Sequence, residues 1–377
     1  MRYAIVTETY PPEINGVALT VQGLEHGLRQ RGHAVEVFRP RQPHEAAADS
    51  PQLTRSALLP CYPGLRVGLP STAQLAQQWQ ACRPDAVYIA TEGPLGWSAL
   101  RLARRMGIAV ATGLHTRFDH YLASYGAGWL QPAALGWMRH FHNQADATLV
   151  PTTELRDFLQ TNGFTRVRLL SRGVDSQQFS PHQRDPALRE DWGLGEHGFA
   201  VIHVGRIAAE KNLPLAVHAY RQIQKHRPRA RFVWVGDGPQ RAALEHANPD
   251  FIFCGNQHEA ALARHIASAD LFVFPSRSET FGNVTLEAMA SGVATVAFDQ
   301  GAARAHLVHG QHGALANDED GFTAAAVRLA CDDDMRAALG SNASVAMQRL
   351  NPAHVVAHLD ALLQQLAAQH AHATVAA

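Results

Sequence analysis

The chain predicts an α/β protein of two doubly wound domains, each a parallel sheet covered by helices. Three observations carry that expectation. The length, 377 residues, exceeds one ordinary core and suits two. Short apolar runs that end in Gly, Pro or polar residues alternate with helix-like segments, the pattern of parallel strands and their crossovers. Near the middle, "SRGVDSQQFSPHQRDP", beginning at Ser171, is rich in turn formers and lacks apolar periodicity, so it reads as a linker.

The elements follow in order. Tyr3–Val6 is the first strand, and the helical pattern "VALTVQGLEHGLRQRGH" leads to the second, Ala34–Phe38. Further strands are expected at Ala86–Ile89, Ile108–Thr112 and Ala147–Val150, which completes a domain over 1–170. After a linker at 171–181, a second domain over 182–352 repeats the rhythm at Ala200–Val204, Arg231–Val235, Phe251–Phe253, Leu271–Phe274 and Ala294–Phe298. The tail "HVVAHLDALLQQLAAQ" has helical periodicity, giving a helix over about 353–377 whose last residues fray.

Composition narrows the function. Apolar residues at 46% and charged residues at 18% fit a globular enzyme. The formal net charge of +0 gives no global attraction to nucleic acid, so any basic site is local. The four cysteines (Cys61, Cys82, Cys254, Cys331) form no CxxC, which argues against a zinc site or a disulfide framework and for reduced thiols in the cytoplasm. No run reaches roughly 18 apolar residues, so attachment to a membrane would be peripheral. The opening "MRYAIVTETY" lacks the long apolar region of a signal peptide.

In open α/β sheets ligands sit beyond the carboxyl ends of the strands, and the informative residues lie there. After Ala200–Val204 comes "GRIAAEKNLPL", where Arg206 and Lys211 flank a helix start with Asn212 as its expected N-cap. A helix N-terminus already favours an anion, and two cations beside it make a phosphate site. After Leu271–Phe274 comes "PSRSETFGNVTLEAMASG". A helix from near Gly282 to Ala290, stopped by Gly292, puts Glu287 about 7.5 Å along the axis and on one face with Asn283. The N–H groups of Phe281, Gly282, Asn283 and Val284 can hold phosphates between Glu279 and Glu287, two acids placed to grip hydroxyls. Hexose, diphosphate and ribose have that layout in a nucleotide sugar.

The pattern Glu279-x7-Glu287, with Arg206 and Lys211 in "VGRIAAEKNL", resembles the retaining glycosyltransferases of family four. "VGDGP" (Val235–Pro239), "FIFCG" (Phe251–Gly255), "RGVDSQQFSP" and the amino-terminal "TYPPEINGVALTV" are similar to other segments of that family. The resemblance implies a GT-B fold, two Rossmann-like domains facing across a cleft with the C-terminal helix returning to the first. It implies that Arg206 and Lys211 bind the donor diphosphate, Glu287 the ribose and Glu279 the sugar. His115, in "GLHTRFDHY", matches the family's histidine near the transferred hexose. Gly16 is the expected phosphate neighbour, with Asn15 standing where many members have glycine.

The resemblance further implies hexose transfer with retention, with no required metal or other cofactor. The cations and helix N–H groups stand where negative charge grows on the departing diphosphate. Front-face attack, in which the leaving phosphate takes the acceptor's proton, is the expected route; a covalent route through Glu279 stays open. The run Asp332–Asp334 reads as acids at a helix start rather than as a metal site. Mannose from GDP-mannose is the expected donor group, with a lipid or sugar acceptor, and a UDP-hexose-dependent diacylglycerol glycosyltransferase is the alternative. A nucleotide-sugar epimerase, a phosphorylase and a non-catalytic nucleotide-sugar binder are further readings, whereas a dehydrogenase is disfavoured by the absence of GxGxxG after the first strand. The aromatic residues Phe118, Tyr121, Tyr125, Trp129, Trp137 and Phe141 within 117–142 either meet lipid headgroups on the inner face of the membrane or pack internally.

Overall fold

The apolar runs become parallel strands in two separate sheets. The structure is a computed structural model and describes residues 1–377 except 14, 44, 46–49, 59–65, 118–127, 196–197 and 376–377. Of the described residues, those up to Ser171 and from Pro352 form one compact unit and those within Arg172–Asn351 the other.

The amino-terminal unit has the strands β1 (Arg2–Val6), β2 (Ala34–Pro40), β3 (Leu53–Thr54), β4 (Ser56–Leu58), β5 (Arg66–Gly68), β6 (Ala86–Ile89), β7 (Ala109–Gly113), β8 (Ala147–Val150) and β9 (Val167–Leu169). Seven of them form one sheet in the order β3-β2-β1-β6-β7-β8-β9, every pairing parallel, while β4 and β5 make a small antiparallel pair. The helix Pro352–Val375 belongs to this unit. Its Val356, Leu359, Leu363 and Leu366 join Tyr3, Ile5, Val21 and Leu28 in one buried cluster. Asp360 fixes its register by accepting from Tyr3 Oη at 2.8 Å and from Arg31 Nε at 2.9 Å.

The carboxy-terminal unit has β10 (Ala200–Val204), β11 (Arg231–Val235), β12 (Ile252–Gly255), β13 (Leu271–Phe274), β14 (Ala294–Phe298) and β15 (Gly313–Ala316), all parallel, in the order β12-β11-β10-β13-β14-β15. Successive strand residues point to opposite faces. Ala200, Ile202 and Val204 therefore pack with Leu286 and Met289 on one side, and Val201 packs with Phe232, Trp234 and Tyr220 on the other.

Two strands begin one residue later than the apolar runs suggest. Ile108 N donates to Ala103 O at 2.9 Å, so Ile108 closes the preceding helix and β7 starts at Ala109. Phe251 N donates to Asn248 O at 3.1 Å, a turn that shifts β12 to Ile252–Gly255. In each sheet the strand order reverses beside the first strand, so the switch points, where ligands of open α/β sheets bind, are the carboxyl ends of β1 and β6 and of β10 and β13.

Candidate active site

Arg206 and Lys211 leave β10 on the loop that the sequence pattern picks out, and Glu279 leaves the adjacent β13. The loop backbones interlock: Gly205 N donates to Val235 O at 2.9 Å, Ile207 N to Asp237 O at 2.9 Å and Gly236 N to Gly255 O at 2.8 Å. "VGDGP" and "FIFCG" thereby fix the turn that carries Arg206. Arg206 Nη1 lies 3.3 Å from Glu210 Oε1, whose side chain has no accessible surface. Ser278 Oγ donates to Glu210 O at 2.9 Å, tying the two loops together.

Lys211 forms an ion pair with Glu279, not with its neighbour Glu210. Ser276 Oγ donates to the same Glu279 oxygen at 2.7 Å. Burial alone would push the Glu279 carboxyl up. The Lys211 charge and the hydrogen bonds from Lys211 and Ser276 outweigh that and hold it below the usual glutamate range. Glu279 is thus a carboxylate that only accepts hydrogen bonds. Beneath it His203, inside β10, is buried; burial pushes its imidazole down to about 4, and it is neutral.

Asn212 stands before the helix Leu213–His226 but does not cap it. Its backbone is left-handed (φ 52°, ψ 48°), whereas a capping side chain needs an extended backbone to fold back on the helix N–H groups. Its amide instead reaches Glu319 at 3.4 Å.

The helix Asn283–Ala290 starts at Gly282, whose φ of 88° and ψ of 66° suit glycine and leave the first turn without a side-chain cap. Among the described residues no acceptor meets the N–H groups of Gly282, Asn283 and Val284. Asn283, Val284 and Glu287 alone keep accessible surface on this helix. Glu287 lies deep among protein atoms, and desolvation pushes its carboxyl up to about 7. It has no hydrogen-bonding or ionic partner among the described residues. Gly292, with φ 71°, ends the helix turn as expected. A small pocket beside this helix is lined by Phe274, Ser276, Glu279, Phe281, Thr285 and Gln300.

Gly16 and His115 belong to the amino-terminal unit. Gly16 opens the helix Gly16–Gln30. Asn15 is its true N-cap: extended at φ −156° and ψ 161°, its Oδ1 accepts from Val17 N at 3.1 Å and Ala18 N at 2.9 Å. His115 follows β7, and its Nε2 lies 2.8 Å from Tyr88 Oη.

Elsewhere, Asp332 Oδ1 accepts from Met335 N at 2.9 Å and caps the helix Asp333–Met347, so the Asp run serves a helix start. Of the aromatic stretch, Phe118, Tyr121 and Tyr125 lie outside the described residues. Trp129 is 80% exposed and Trp137 43%, but Phe141 is fully buried and belongs to the core. Among the described residues no helix is long and apolar enough to cross a membrane.

Sequence reasoning did not single out Glu210, Ser276, His203 or Tyr88. Glu210, four residues after Arg206, carried the only local signal, the spacing of an i,i+4 ion pair.

Residues 14–178 match the family described as Glycosyltransferase Family 4, and residues 198–332 match Glycosyl transferases group 1. A GDP-mannose-dependent alpha-mannosyltransferase of Mycolicibacterium smegmatis is 36% identical over 334 residues, which cover 86% of each chain. The chain is a family four glycosyltransferase. As such it is a hexosyltransferase. This glycosyltransferase is also 26% identical to an alpha-monoglucosyldiacylglycerol synthase of Streptococcus pneumoniae, over 79% of its own length and 71% of that protein. Its fold is that of the GT-B enzymes: a sucrose-phosphate synthase from Thermosynechococcus elongatus superposes with a TM-score of 0.80 at 20% identity, covering 98% of this chain and 99% of the other.

Proposed function

We propose that this enzyme transfers mannose from GDP-mannose, with retention of configuration, to a hydroxyl of a membrane glycolipid or sugar acceptor. The observation that carries the reading is the uncapped N-terminus of Asn283–Ala290, joined to the loop of Arg206 and Lys211 through the Lys211–Glu279 pair and the Ser278–Glu210 bond. Free N–H groups and two cations suit a diphosphate. Similarity to the mannosyltransferase of Mycolicibacterium smegmatis supports the donor.

Arg206, Lys211 and the N–H groups of Phe281, Gly282, Asn283 and Val284 take the diphosphate. Glu287, without a side-chain partner among the described residues, takes the ribose hydroxyls, and Glu279 takes hexose hydroxyls. Gly16 offers the donor a further N–H, and His115, oriented by Tyr88, orients the hexose and supports its positive charge. In the reaction the bond from the anomeric carbon to the phosphate oxygen breaks with its electron pair left on the phosphate. The acceptor oxygen bonds to the same face of that carbon, and its proton passes to the departing phosphate. Groups already fixed where the negative charge grows stabilise the transition state more than the ground state. They meet that charge without a metal, and we assign no required cofactor.

In this reading the enzyme works as a peripheral protein on the cytoplasmic face of the membrane, which exposed Trp129 and Trp137 support as headgroup contacts. A second reading, a UDP-hexose-dependent diacylglycerol glycosyltransferase, is favoured by similarity to the pneumococcal synthase. Assaying radiolabelled GDP-mannose, UDP-glucose and UDP-glucuronate against dioleoylglycerol vesicles and membrane extracts separates the two. The expected product is an α-mannoside formed from GDP-mannose with EDTA present. A β-linked product or a trapped glycosyl–Glu279 adduct contradicts the front-face route, and label entering only from UDP-glucose selects the second reading.

A further inference from the structure

The amino-terminal sheet has its own switch point, and two glutamates occupy it. Glu8 follows β1 and Glu92 follows β6, strands that pair in parallel from Tyr3↔Ala86 to Val6↔Ile89. The two exits are bonded together: Ala90 N donates to Val6 O at 2.8 Å and Glu8 N to Thr91 Oγ1 at 2.8 Å. The Glu8 carboxylate then lies directly over Gly93, where any Cβ would collide with it.

The two acids differ in what they touch. Glu8 is satisfied: Oε1 accepts from Leu95 N at 2.9 Å and Oε2 accepts from Gly68 N, so it serves the start of the helix Pro94–Arg105. Glu92 is only 6% exposed, yet among the described residues its Oε1 meets no hydrogen-bond partner. A buried carboxyl oxygen left unmatched is costly in either protonation state, and a catalytic or binding role is one of the few reasons a native chain keeps it. Its neighbours Glu8, Thr91 and Gly93 are only half-buried.

We propose that Glu92, walled by Glu8, is an acceptor-side subsite that hydrogen-bonds a hydroxyl of a polyol acceptor. The inference rests on the glycosyl-transfer reading above and names the chemistry of its acceptor. Position supports it, because His115 leaves β7, the next strand of the same sheet, so Glu8, Glu92 and His115 share one edge. Chemistry supports it as well. Burial, with the Glu8 charge adding to it, pushes Glu92 up to about 8. Burial pushes Glu8 up to about 7 against the pull of the Gly68, Leu95 and Gly96 N–H groups. A carboxyl able to hold a proton at neutral pH both donates to and accepts from an alcohol, which is itself donor and acceptor.

Saturation-transfer NMR on the full chain loaded with GDP, with glycerol and methyl α-mannoside as probes, tests the subsite. The wild type is expected to transfer saturation to at least one probe. Glu92→Leu should weaken its binding at least tenfold, and the isosteric Glu92→Gln should weaken it less. In the wild type, carbodiimide labelling of Glu92, read by peptide mass spectrometry, should slow at least threefold with the bound probe. Compared without GDP, Arg206→Ala and the wild type should give the same polyol signal, so failure of the donor reading and failure of this one are distinguishable. No transfer to either probe, wild-type binding by Glu92→Leu, or labelling indifferent to the probe overturns the subsite.

Discussion

The helices Gly16–Gln30 and Asn283–Ala290 each follow a switch-point strand, β1 and β13, and both were expected to meet phosphate, yet their first turns differ. At Asn15 the side chain bonds to Val17 N and Ala18 N, so the helix consumes most of its own anion-binding capacity. At Gly282 there is no side chain to do so, the backbone is left-handed, and three N–H groups stay open beside Lys211 and Glu279. A helix N-terminus is a potential anion site everywhere; the residue before it decides whether that potential is used for the fold or kept for a ligand.

The largest test of this contrast removes the cations that only the open helix has. Arg206→Ala and Lys211→Ala should each lower kcat about a hundredfold to a thousandfold. Lys211→Ala should also lower Tm, because it leaves the buried Glu279 carboxylate without its counter-charge. Wild-type turnover in either variant breaks the contrast.

Next comes Gly282→Ala. The new Cβ would stand 3.3 Å from Phe274 Cε1 and 3.4 Å from Glu279 Cγ, on a backbone that L residues avoid at a cost of about 1–2 kcal/mol. Displacing Glu279 should lower kcat roughly tenfold to a hundredfold, read in steady-state kinetics beside the melting curve.

At the closed helix the loss should appear in stability. Asn15→Ala should cost about 1 kcal/mol in denaturant unfolding, the usual worth of an Asn N-cap. A loss in kcat of more than about tenfold would mean that this turn serves the donor through more than the Gly16 N–H.

The smallest effect is a pH dependence at Glu287. Its folded carboxyl is raised to about 7, so the native state holds a proton that the unfolded chain releases near the ordinary glutamate value. Stability is therefore lost as pH rises from about 4.5 to about 7. Glu287→Gln removes that loss: its Tm relative to wild type should climb between pH 5 and pH 8 while donor affinity falls. A flat difference contradicts a desolvated Glu287 carboxyl.

How much of this was legible follows from the range of the interactions. The central strands announce themselves as apolar runs because both faces of a parallel sheet are covered. The edge strands β15 and β9 do not: "GALA" is too small in side chain and "VRL" too short to stand out. The places of Arg206, Lys211, Glu279 and Glu287, after strands and at helix starts, were legible because those are local features. The pairing of Lys211 with Glu279 spans 68 residues and that of Glu8 with Gly68 spans 60, and such partners are chosen by the fold, not by spacing. Asn212 and Asn15 show the same limit from the other side. Both stand before a helix, and only the backbone angle, extended at one and left-handed at the other, decides which one caps.

Titration of nucleoside di- and monophosphates into the wild-type enzyme and the Arg206→Ala/Lys211→Ala variant asks the central question directly. With whichever base binds, guanine or uracil, the wild type should hold the diphosphate far more tightly than the monophosphate, and the variant should lose most of that difference. If the double variant still prefers the diphosphate as strongly as the wild type does, the cations and the open helix are not where the pyrophosphate binds.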